Sequence, residues 1–445
     1  MLKIAVISDT HLGFTPLGRE KDPLNNCKQA FQKAFDEQVD LILIPGDIFH
    51  EKIPKQEILG EAIELFSSVK RHMGKEAKLL ISKTKDTENK PNQKIPPIIS
   101  IYGTHERRYS ESINPVHLLE KAGLLYNLHA ESILLELKGD QIGIHGLSGV
   151  PENYAKQTLT AWMPKPFKDI PNILMIHQNF KELIPELDSG YMELSDLPKG
   201  FDMFLLGHVH WNMELQHPLT NAPVLVPGST IKTQLTAKES ERKKGIYIIN
   251  IGRQKGSIKF IPLETRPLYY HKIKVEKETT SNILKNISKQ INKDIKDSKT
   301  TPLIRIKIEG SLHEKHSPVD INLKKILDEY KDKAILSIDK SKLQSSSLTK
   351  RSDLLLNLKD NKISIEEFGL KILQENLKTP IDPKKLETIF NLLAEQNIKD
   401  AEPLIPKKQS QKDIDTKKER KQSILEGQES MPVAKGKKLT TLEHF

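Results

Sequence analysis

Residues 204 to 210 read Phe204-Leu205-Leu206-Gly207-His208-Val209-His210. An apolar run that stops at a glycine indicates a buried strand with an open carboxyl end, and in α/β sheets ligands bind at that end of the strands. Because residues i and i+2 on a strand point to the same face, we expect His208 and His210 to face one site. Imidazole ligands suit zinc, copper, iron and nickel, and a site that also has carboxylate ligands can bind manganese.

Earlier apolar runs end in the same way. The runs at residues 4–7, 41–44 and 173–176 lead, in turn, into Asp9 with His11, into Asp47, and into His177. Singly, each residue has a simpler explanation, because Asp9 or Asp47 could cap a helix and His145 or His177 could be a hydrogen-bonded core histidine. Together they predict a metal site at the sheet edge, with the ligands Asp9, His11, Asp47, His177, His208 and His210.

This mixture of side chains suits phosphoester hydrolysis by two metal ions. Two divalent ions about 3.5–4 Å apart can share a bridging carboxylate and activate water between them. Carboxylates offset the positive charge, and neutral imidazoles complete each shell. The expected site therefore belongs to a hydrolase.

Composition narrows the class of protein further. The 445 residues are enough for two or three domains, and the net charge of +10 with a pI of about 9.2 favours a polyanionic partner such as nucleic acid. A lysine-rich proteome is the alternative explanation of that charge. Cys27 is the only cysteine, which excludes an intrachain disulfide and makes a reducing cytoplasm the expected location. We expect no signal peptide and no membrane span, since the chain enters a strand at once and has no apolar run of about 18 residues.

Five short motifs resemble the signatures of the calcineurin-like metallophosphoesterase superfamily. They are Ser8-Asp9-Thr10-His11, Pro45-Gly46-Asp47, Gly103-Thr104-His105-Glu106, His177 and Gly207-His208-Val209-His210. Asp47-Ile48-Phe49-His50, Pro227-Gly228-Ser229-Thr230 and the basic extension further resemble the SbcD-type nucleases of DNA double-strand-break repair, the meiotic recombination eleven family, in its archaeal-like form. The likeness is strong over residues 1–265 and looser beyond.

The resemblance implies a fold and a role for each site residue. The fold is an α/β, four-layer αββα metallophosphoesterase sandwich with a small α/β cap domain and a helical C-terminal extension. Two divalent ions, manganese above all, are implied: one held by Asp9, His11 and His210, the other by His177 and His208, with Asp47 as the bridge. His105 falls where the family places a histidine that stabilises the transition state or protonates the leaving oxygen; a solvent-exposed turn residue is the alternative.

One position departs from the family pattern. The family usually has asparagine before the catalytic histidine, and its amide oxygen binds metal, whereas this chain has Thr104. A hydroxyl is a shorter and weaker ligand, so Thr104 is a weak candidate ligand and the second ion is expected to be loosely held or bound through water. Arg107 and Arg108 follow directly and could contact DNA backbone phosphate or lie in a solvated loop.

Four segments are expected along the chain. Residues 1–265 form the nuclease domain, and residues 266–345 form a β-α-β-α-β unit that caps the DNA in the resembled family or is a generic α/β module. Residues 350–400 hold two amphipathic helices, which begin at a capping box, Ser364–Glu367, and at Asp382-Pro383. These helices would pack on each other or on a partner, which the resemblance identifies as an SMC-like coiled-coil ATPase. Residues 401–445 are expected to be disordered.

The resemblance also implies partners and a reaction. The chain would form a homodimer and act on DNA ends as a manganese-dependent exonuclease and endonuclease. Leu442 and Phe445, three residues apart at the end of a polar tail, resemble a sliding-clamp-binding peptide, although an ordinary frayed terminus explains them as well. Two alternatives remain: a metallophosphoesterase that acts on nucleotides or phosphoproteins, and a weakly catalytic scaffold that binds DNA ends.

Overall fold

The computed structural model describes residues 1–74, 76–108, 112–184, 192–252, 256–313, 316–345, 381–395 and 397–405, with five single positions between 367 and 374. The chain forms two compact units, Met1–Ser346 and Ser347–Phe445. In the described part of the chain, no helix has the length and the apolar character needed to cross a membrane.

The described residues of the first unit contain eighteen strands. In chain order they are β1 (Leu2–Val6), β2 (Leu41–Pro45), β3 (Ala77–Lys83), β4 (Glu88–Asn89), β5 (Gln93–Ile95), β6 (Ile98–Ile101), β7 (Tyr126–Asn127), β8 (Glu131–Leu137), β9 (Asp140–Leu147), β10 (Asn172–His177), β11 (Met203–Gly207), β12 (Met213–Gln216), β13 (Pro223–Val226), β14 (Gly245–Ile251), β15 (Ser257–Pro262), β16 (Leu268–Glu278), β17 (Leu303–Leu312) and β18 (Ile335–Ser345).

Helices cover or connect these strands. They are α1 (Lys21–Asp36), α2 (Gln56–Met73), α3 (Pro115–Lys121), α4 (Glu152–Trp162), α5 (Ala237–Glu241), α6 (Thr280–Asp297) and α7 (Leu323–Tyr330). Short 3₁₀ turns lie at Leu194–Asp196 and Pro318–Asp320.

Two mixed sheets face each other at the centre of the unit. The first has the order β15-β14-β1-β2-β6-β7, and the second has the order β12-β13-β11-β10-β9-β8-β3-β4 with β5 paired to β3. Strands β1, β2 and β6 run parallel in the first sheet, as do β9, β10, β11 and β13 in the second. Their carboxyl ends therefore form one edge in each sheet.

Alternation along the strands divides the apolar side chains among three cores. Leu43 and Leu205 lie in the core between the two sheets. Their neighbours point the other way: Ile44 lies in the core shared with α1, α2 and α3, and Leu206 lies in the core shared with Trp162 of α4. Strands buried on both faces need such continuous apolar runs. The predicted four-layer αββα sandwich is confirmed.

A smaller sheet follows the sandwich. Strands β16, β17 and β18 pair in parallel and, with α6 and α7, have their own apolar core. The helical stripe of isoleucines supplies that core through Ile283, Ile287 and Ile291, which are fully buried. This is the expected β-α-β-α-β unit. Arg266 lies where it begins and bonds both to Asp22 of α1 and to the Thr301 carbonyl.

The Lys-rich segment at residues 83–94 lies at the edge of the second sheet. Two short strands, β4 and β5, lie in this segment and pair antiparallel with β3 at the edge of the second sheet. Edge strands are commonly rich in charged residues, lysine above all, so the Lys-rich composition concealed them.

His145 is the core histidine that the sequence left as an alternative. Its Nδ1 lies 2.7 Å from Ser132 Oγ and its Nε2 lies 3.0 Å from Asn172 Oδ1. Burial lowers the pKa of His145 to about 4, so the ring is neutral at pH 7. Both of its nitrogens are occupied, and His145 is not part of the metal centre described below.

In the second unit the helix predicted at Asp382-Pro383 is observed as α8 (Pro383–Ala394), followed by α9 (Ile398–Ala401) and a 3₁₀ turn at Glu402–Leu404. Asp382 caps α8 by accepting from Lys384 N and Lys385 N. Leu386 and Ile389 on its apolar face are buried. The capping box at Ser364–Glu367 and the tail beyond residue 405 lie almost wholly outside the described residues.

Candidate metal centre

The candidate site lies where the carboxyl ends of the two sheets meet. Asp9 and His11 follow β1, Asp47 follows β2, and His105 follows β6, while His177 ends β10 and His208 and His210 follow β11. The loops bind one another through their backbones. Asp9 N donates to Gly46 O at 3.1 Å, and His11 N donates to Asp47 O at 3.0 Å.

Four of the site residues have a left-handed backbone. The φ angles are 50° at Asp9, 46° at His11, 50° at Asp47 and 85° at His208. Such conformations cost on the order of 1–3 kcal/mol each and persist only where the surroundings impose them. This clustering of strain at one edge of the fold is typical of a functional site.

Glycine permits the close approach of these loops. A β-carbon on Gly207 would overlap the Pro45 carbonyl oxygen, and one on Gly103 would overlap the Asp47 carboxylate. A larger residue at Gly207 would therefore push apart the edges of the two sheets, and one at Gly103 would displace Asp47.

A first set of potential metal donors comprises Asp9, His11, Asp47 and His210. Asp9, His11 and Asp47 are fully buried and the His210 side chain is 11% exposed, and one ligand atom from each of the four lies within 4.8 Å of the others. The Nε2 atoms of His11 and His210 are 3.1 Å apart. His210 Nδ1 lies 2.5 Å from Thr233 Oγ1, which fixes the orientation of the His210 ring. His11 Nδ1 is buried without a hydrogen-bond partner in the described part of the chain.

A second set comprises Asp47, His177 and His208, again within 4.8 Å of one another. His177 Nδ1 donates to the Pro45 carbonyl at 2.7 Å, so in the neutral ring Nε2 holds a lone pair. That nitrogen lies 3.1 Å from Asp47 Oδ2. Two acceptors facing each other in a dry site repel unless a proton or a cation lies between them.

The charges of the site favour bound cations. Burial lowers the pKa of His11 to about 3 and that of His208 to about 4, which keeps both rings in the neutral, metal-binding form. Burial raises the pKa of Asp9 to about 7. Burial would also raise the pKa of Asp47, but His177 and His11 beside it hold that pKa well below its usual range.

The protonation of His177 shows most directly that Asp47 is stabilised by a positive charge beside it. Burial lowers its pKa, but the Asp47 carboxylate outweighs burial and raises the pKa of His177 to about 9. In the absence of metal the ring thus takes up a proton to satisfy Asp47. A cation shared by the two side chains satisfies both groups and releases that proton. The residues present fit two divalent cations that share Asp47.

His105 lies beside the two donor sets. Its Nδ1 donates to the His50 carbonyl at 2.6 Å, and the His50 ring stacks on it with centroids 4.8 Å apart. The His105 backbone N–H donates to Asp47 Oδ1 at 3.0 Å. Thr104 and His105 line a surface groove with residues 50–53, so His105 is accessible and held in one orientation.

The remaining predicted residues have different environments. Thr104 Oγ1 lies 3.3 Å from His208 Nδ1. Arg107 is half-buried, and Arg108 is exposed and donates to the Ile113 carbonyl at 3.0 Å. Leu442 and Phe445, the predicted clamp-binding pair, are outside the described residues.

The structure corrects the reason given for the paired histidines. His208 and His210 do lie in one site, but β11 ends at Gly207 and both residues are in the following loop. They join different donor sets, with only Asp47 in common. Strand alternation therefore did not place them; the left-handed turn at His208 did.

Sequence reasoning missed several supporting residues. Glu106 is fully buried and accepts hydrogen bonds of 2.7 Å from both Phe49 N and Gly103 N. Burial, helped by the charge of Asp47, raises the pKa of Glu106 to about 8. Its place beside His105 in a quoted motif was a usable signal. Thr233, which lies 23 residues beyond His210, offered none.

Comparison with known proteins agrees with this geometry. A model of the calcineurin-like phosphoesterase family matches residues 2–212. The chain is 26% identical over 318 residues to the DNA double-strand break repair protein Mre11 of Sulfolobus acidocaldarius, covering 70% of this chain and 76% of that protein. It is 29% identical over 321 residues to the protein of the same name from Saccharolobus solfataricus, with the same two coverages of 70% and 76%.

A third relative is the double-strand break repair protein MRE11 of Encephalitozoon cuniculi, which is 31% identical over 300 residues. This alignment covers 62% of the present chain but 50% of that protein. Residues 2–212 are therefore a calcineurin-like phosphoesterase domain, and the chain is a metal-dependent phosphoesterase. Within that family its similarity is to the Mre11 repair proteins, which confirms the resemblance predicted from the motifs.

Proposed function

We propose that this chain is a DNA nuclease that processes the ends of double-strand breaks with two divalent ions, of which manganese fits best. The observation that carries the proposal is the pair of donor sets sharing Asp47, with His105 accessible beside them. The names of the Mre11 relatives support DNA repair as the setting. Both exonuclease and endonuclease action are part of the proposal.

Each site residue has a role in this proposal. Asp9, His11 and His210 hold one ion, His177 and His208 hold the other, and Asp47 contacts both. Bound there, the ions would supply Lewis-acid polarisation of the scissile phosphate and stabilisation of the developing charge. A mixed shell of carboxylates and imidazoles suits manganese better than magnesium, which prefers oxygen ligands alone.

His105 supplies the proton chemistry. Because Nδ1 is committed to the His50 carbonyl, Nε2 is the nitrogen that can hydrogen-bond the phosphate or give a proton to the leaving oxygen. Stacking on His50 fixes the plane of the His105 ring during the reaction. His105 thereby acts as a catalytic residue that is not needed to bind metal.

The surroundings of the site support a long polyanion over a small ligand. The groove beside His105 is lined by Glu51, Lys52 and Ile53, which are all exposed, so the site opens onto the surface. The net charge of +10 favours nucleic acid. Arg107 and Arg108 are proposed phosphate contacts on the loop after His105, and residues 266–345 are proposed to cap the DNA.

The proposal includes three protein partners and an intracellular location on DNA. A homodimer is proposed from the family resemblance, with Ile63 on α2 and Leu118 on α3, which are 44% and 43% exposed, as candidate contact residues. Residues 350–400 would dock onto an SMC-like coiled-coil ATPase, a role proposed from the family resemblance. Leu442 and Phe445 would bind a sliding clamp.

A cleavage assay tests the proposed function against its two alternatives. Purified full-length protein is given labelled duplex DNA, a nucleoside monophosphate and a phosphopeptide, each with manganese, magnesium or chelator. We expect DNA cleavage in manganese, less in magnesium and none in chelator. Faster release of phosphate from the nucleotide or the peptide would favour a different phosphoesterase, and DNA binding without cleavage in any metal would favour a scaffold.

A further inference from the structure

Arg19 is a buried cation that belongs to neither donor set. It lies just before α1 and is 2% exposed. A buried arginine is normally paired and hydrogen-bonded, because an isolated charge in the interior of a protein is costly. The contacts of Arg19 therefore indicate what its side chain holds in place.

An ion pair anchors the guanidinium to α1. Arg19 Nε donates to Asp22 Oδ2 at 3.2 Å. Asp22 also accepts from Arg266 Nε at 2.9 Å and from Arg266 Nη2 at 2.8 Å. Burial would raise the pKa of Asp22, but Arg266 and Arg19 lower it below its usual value, so the carboxylate stays charged. This pair fixes one end of the guanidinium.

A first branch of contacts runs from the guanidinium to a candidate metal ligand. Arg19 Nη2 donates to the Lys232 carbonyl at 2.5 Å. The next residue, Thr233, has its Oγ1 2.5 Å from His210 Nδ1. His210 Nε2 lies 3.1 Å from His11 Nε2, so Nε2 is the nitrogen that faces the first donor set. This branch therefore ends at a donor of that set.

A second branch runs from the face of the guanidinium to the proposed catalytic histidine. The central carbon of the Arg19 guanidinium lies over the Phe14 ring, 5.0 Å from its centroid. Phe14 is 4% exposed and meets the His50 ring edge to face, with centroids 4.9 Å apart. His50 in turn stacks on the His105 ring, and its carbonyl accepts from His105 Nδ1. This branch therefore ends at His105.

We propose that Arg19 is a positioning residue that holds His210 and His105 in one fixed arrangement. A guanidinium suits this role, because it is planar, has several donors in its plane, and has a face that packs on aromatic rings. A lysine ammonium keeps the charge but cannot make the in-plane bonds and the stacked contact together. The inference rests on the proposed function, because it takes His105 as the catalytic residue of phosphoester hydrolysis.

Loss of Arg19 has two expected effects. Without the bond to the Lys232 carbonyl, the segment that orients His210 loosens, and one manganese site weakens by roughly 10–100-fold, the range for outer partners of metal ligands. Without the contact with Phe14, the stacked rings of His50 and His105 shift, and a displacement of about 1 Å lowers turnover about a hundredfold. A general loss of stability would not separate manganese affinity from turnover.

Three variants of the full-length protein and one control test both branches. Arg19→Met removes both branches, Phe14→Leu removes only the second, and Arg19→Lys keeps the charge without the planar geometry. Arg71→Met makes the same change at an exposed residue of α2 and is the matched control. Manganese binding to metal-free protein is followed through the electron paramagnetic resonance signal of free Mn²⁺. Turnover is measured with bis(p-nitrophenyl) phosphate at saturating manganese.

We expect Arg19→Met to weaken one manganese site and to lower turnover, and Phe14→Leu to lower turnover with manganese affinity unchanged. Arg19→Lys should remain folded by circular dichroism but should not restore turnover. Wild-type turnover in Arg19→Lys would show that only the charge matters and would overturn the proposal. Equal manganese affinity in Arg19→Met and Arg71→Met would overturn it as well, and so would wild-type turnover in Phe14→Leu.

A further readout of the second branch needs no hydrolysis. Nuclear magnetic resonance of ¹⁵N-labelled histidine in metal-free protein reports which ring nitrogen of His105 is protonated. We expect Nδ1 in the wild type, because it donates to the His50 carbonyl, and a mixture of both nitrogens in Arg19→Met and Phe14→Leu. An unchanged His105 signal in both variants would contradict the proposal.

Two outcomes separate the role of Arg19 from the proposed function. If these effects are observed in a protein that does not cut DNA, the nuclease proposal fails and the role of Arg19 stands. DNA cleavage by Arg19→Met at the wild-type rate would refute the role of Arg19 and leave the nuclease proposal in place.

Discussion

Replacing Glu106 by glutamine tests how the fold holds the catalytic loops. The two oxygens of the buried carboxyl group accept hydrogen bonds from Phe49 N and from Gly103 N, each at 2.7 Å. Phe49 lies on the loop of Asp47, and Gly103 lies on the loop of His105, so one side chain joins both. Glutamine has nearly the same size, but its amide nitrogen cannot accept a hydrogen bond.

The expected size of the effect follows from the two hydrogen bonds that Glu106 accepts. Glu106→Gln leaves one of the two buried N–H groups without an acceptor, which costs about 1–3 kcal/mol. We expect the free energy of unfolding to fall by about 2 kcal/mol. A shift of the released loop by about 1 Å would lower the cleavage rate by about a hundredfold.

Denaturant unfolding of the metal-free protein, followed by circular dichroism, measures the change in the free energy of unfolding. Cleavage of labelled DNA in manganese measures the change in rate. Glu64→Gln is the matched control, because it makes the same chemical change at a residue that is exposed on α2. If Glu106→Gln were as stable and as active as Glu64→Gln, the reasoning about the two loops would be refuted.

Three further predictions concern the proposed partners. Ile63→Glu with Leu118→Glu should convert a dimer to a monomer in sedimentation velocity; an unchanged sedimentation coefficient would refute that interface. Phe390→Glu should abolish co-purification with the SMC-like ATPase while manganese-dependent cleavage by the isolated subunit persists, and retained tight binding would refute the docking assignment. A labelled peptide of residues 435–445 should bind the host's sliding clamp with roughly micromolar affinity, −8 kcal/mol or so; equal binding after Leu442→Ala with Phe445→Ala would exclude that role.

The positions of the candidate ligands could be predicted because burial and chain direction decide them. Strands covered on both faces need unbroken apolar runs, and parallel strands bring their carboxyl ends to one edge. The runs that end before Asp9, Asp47 and His177 therefore located the site along the chain. The motif resemblance then suggested a partition of ligands, which stays a prediction; the structure shows that the members of each predicted group lie within 4.8 Å of one another.

What the sequence could not predict depends on tertiary contacts between distant residues. No local pattern requires a left-handed backbone at Asp9 or at His208; the interlocked loops impose it. The same is true of Pro45, whose carbonyl orients a histidine 132 residues away. An edge strand as short and polar as β4, Glu88–Asn89, has no apolar residue that could distinguish it from a loop.

The central claim is that the metal ions polarise the phosphate while His105 assists the reaction without binding metal. One paired measurement tests it. Wild-type protein, His105→Ser and Asp47→Ala are loaded with manganese, and metal content and cleavage of labelled duplex DNA are measured on the same samples. We expect His105→Ser to retain its manganese while losing most or all cleavage, and Asp47→Ala to lose both. Cleavage by His105→Ser at the wild-type rate, or full manganese content in Asp47→Ala, would contradict the account.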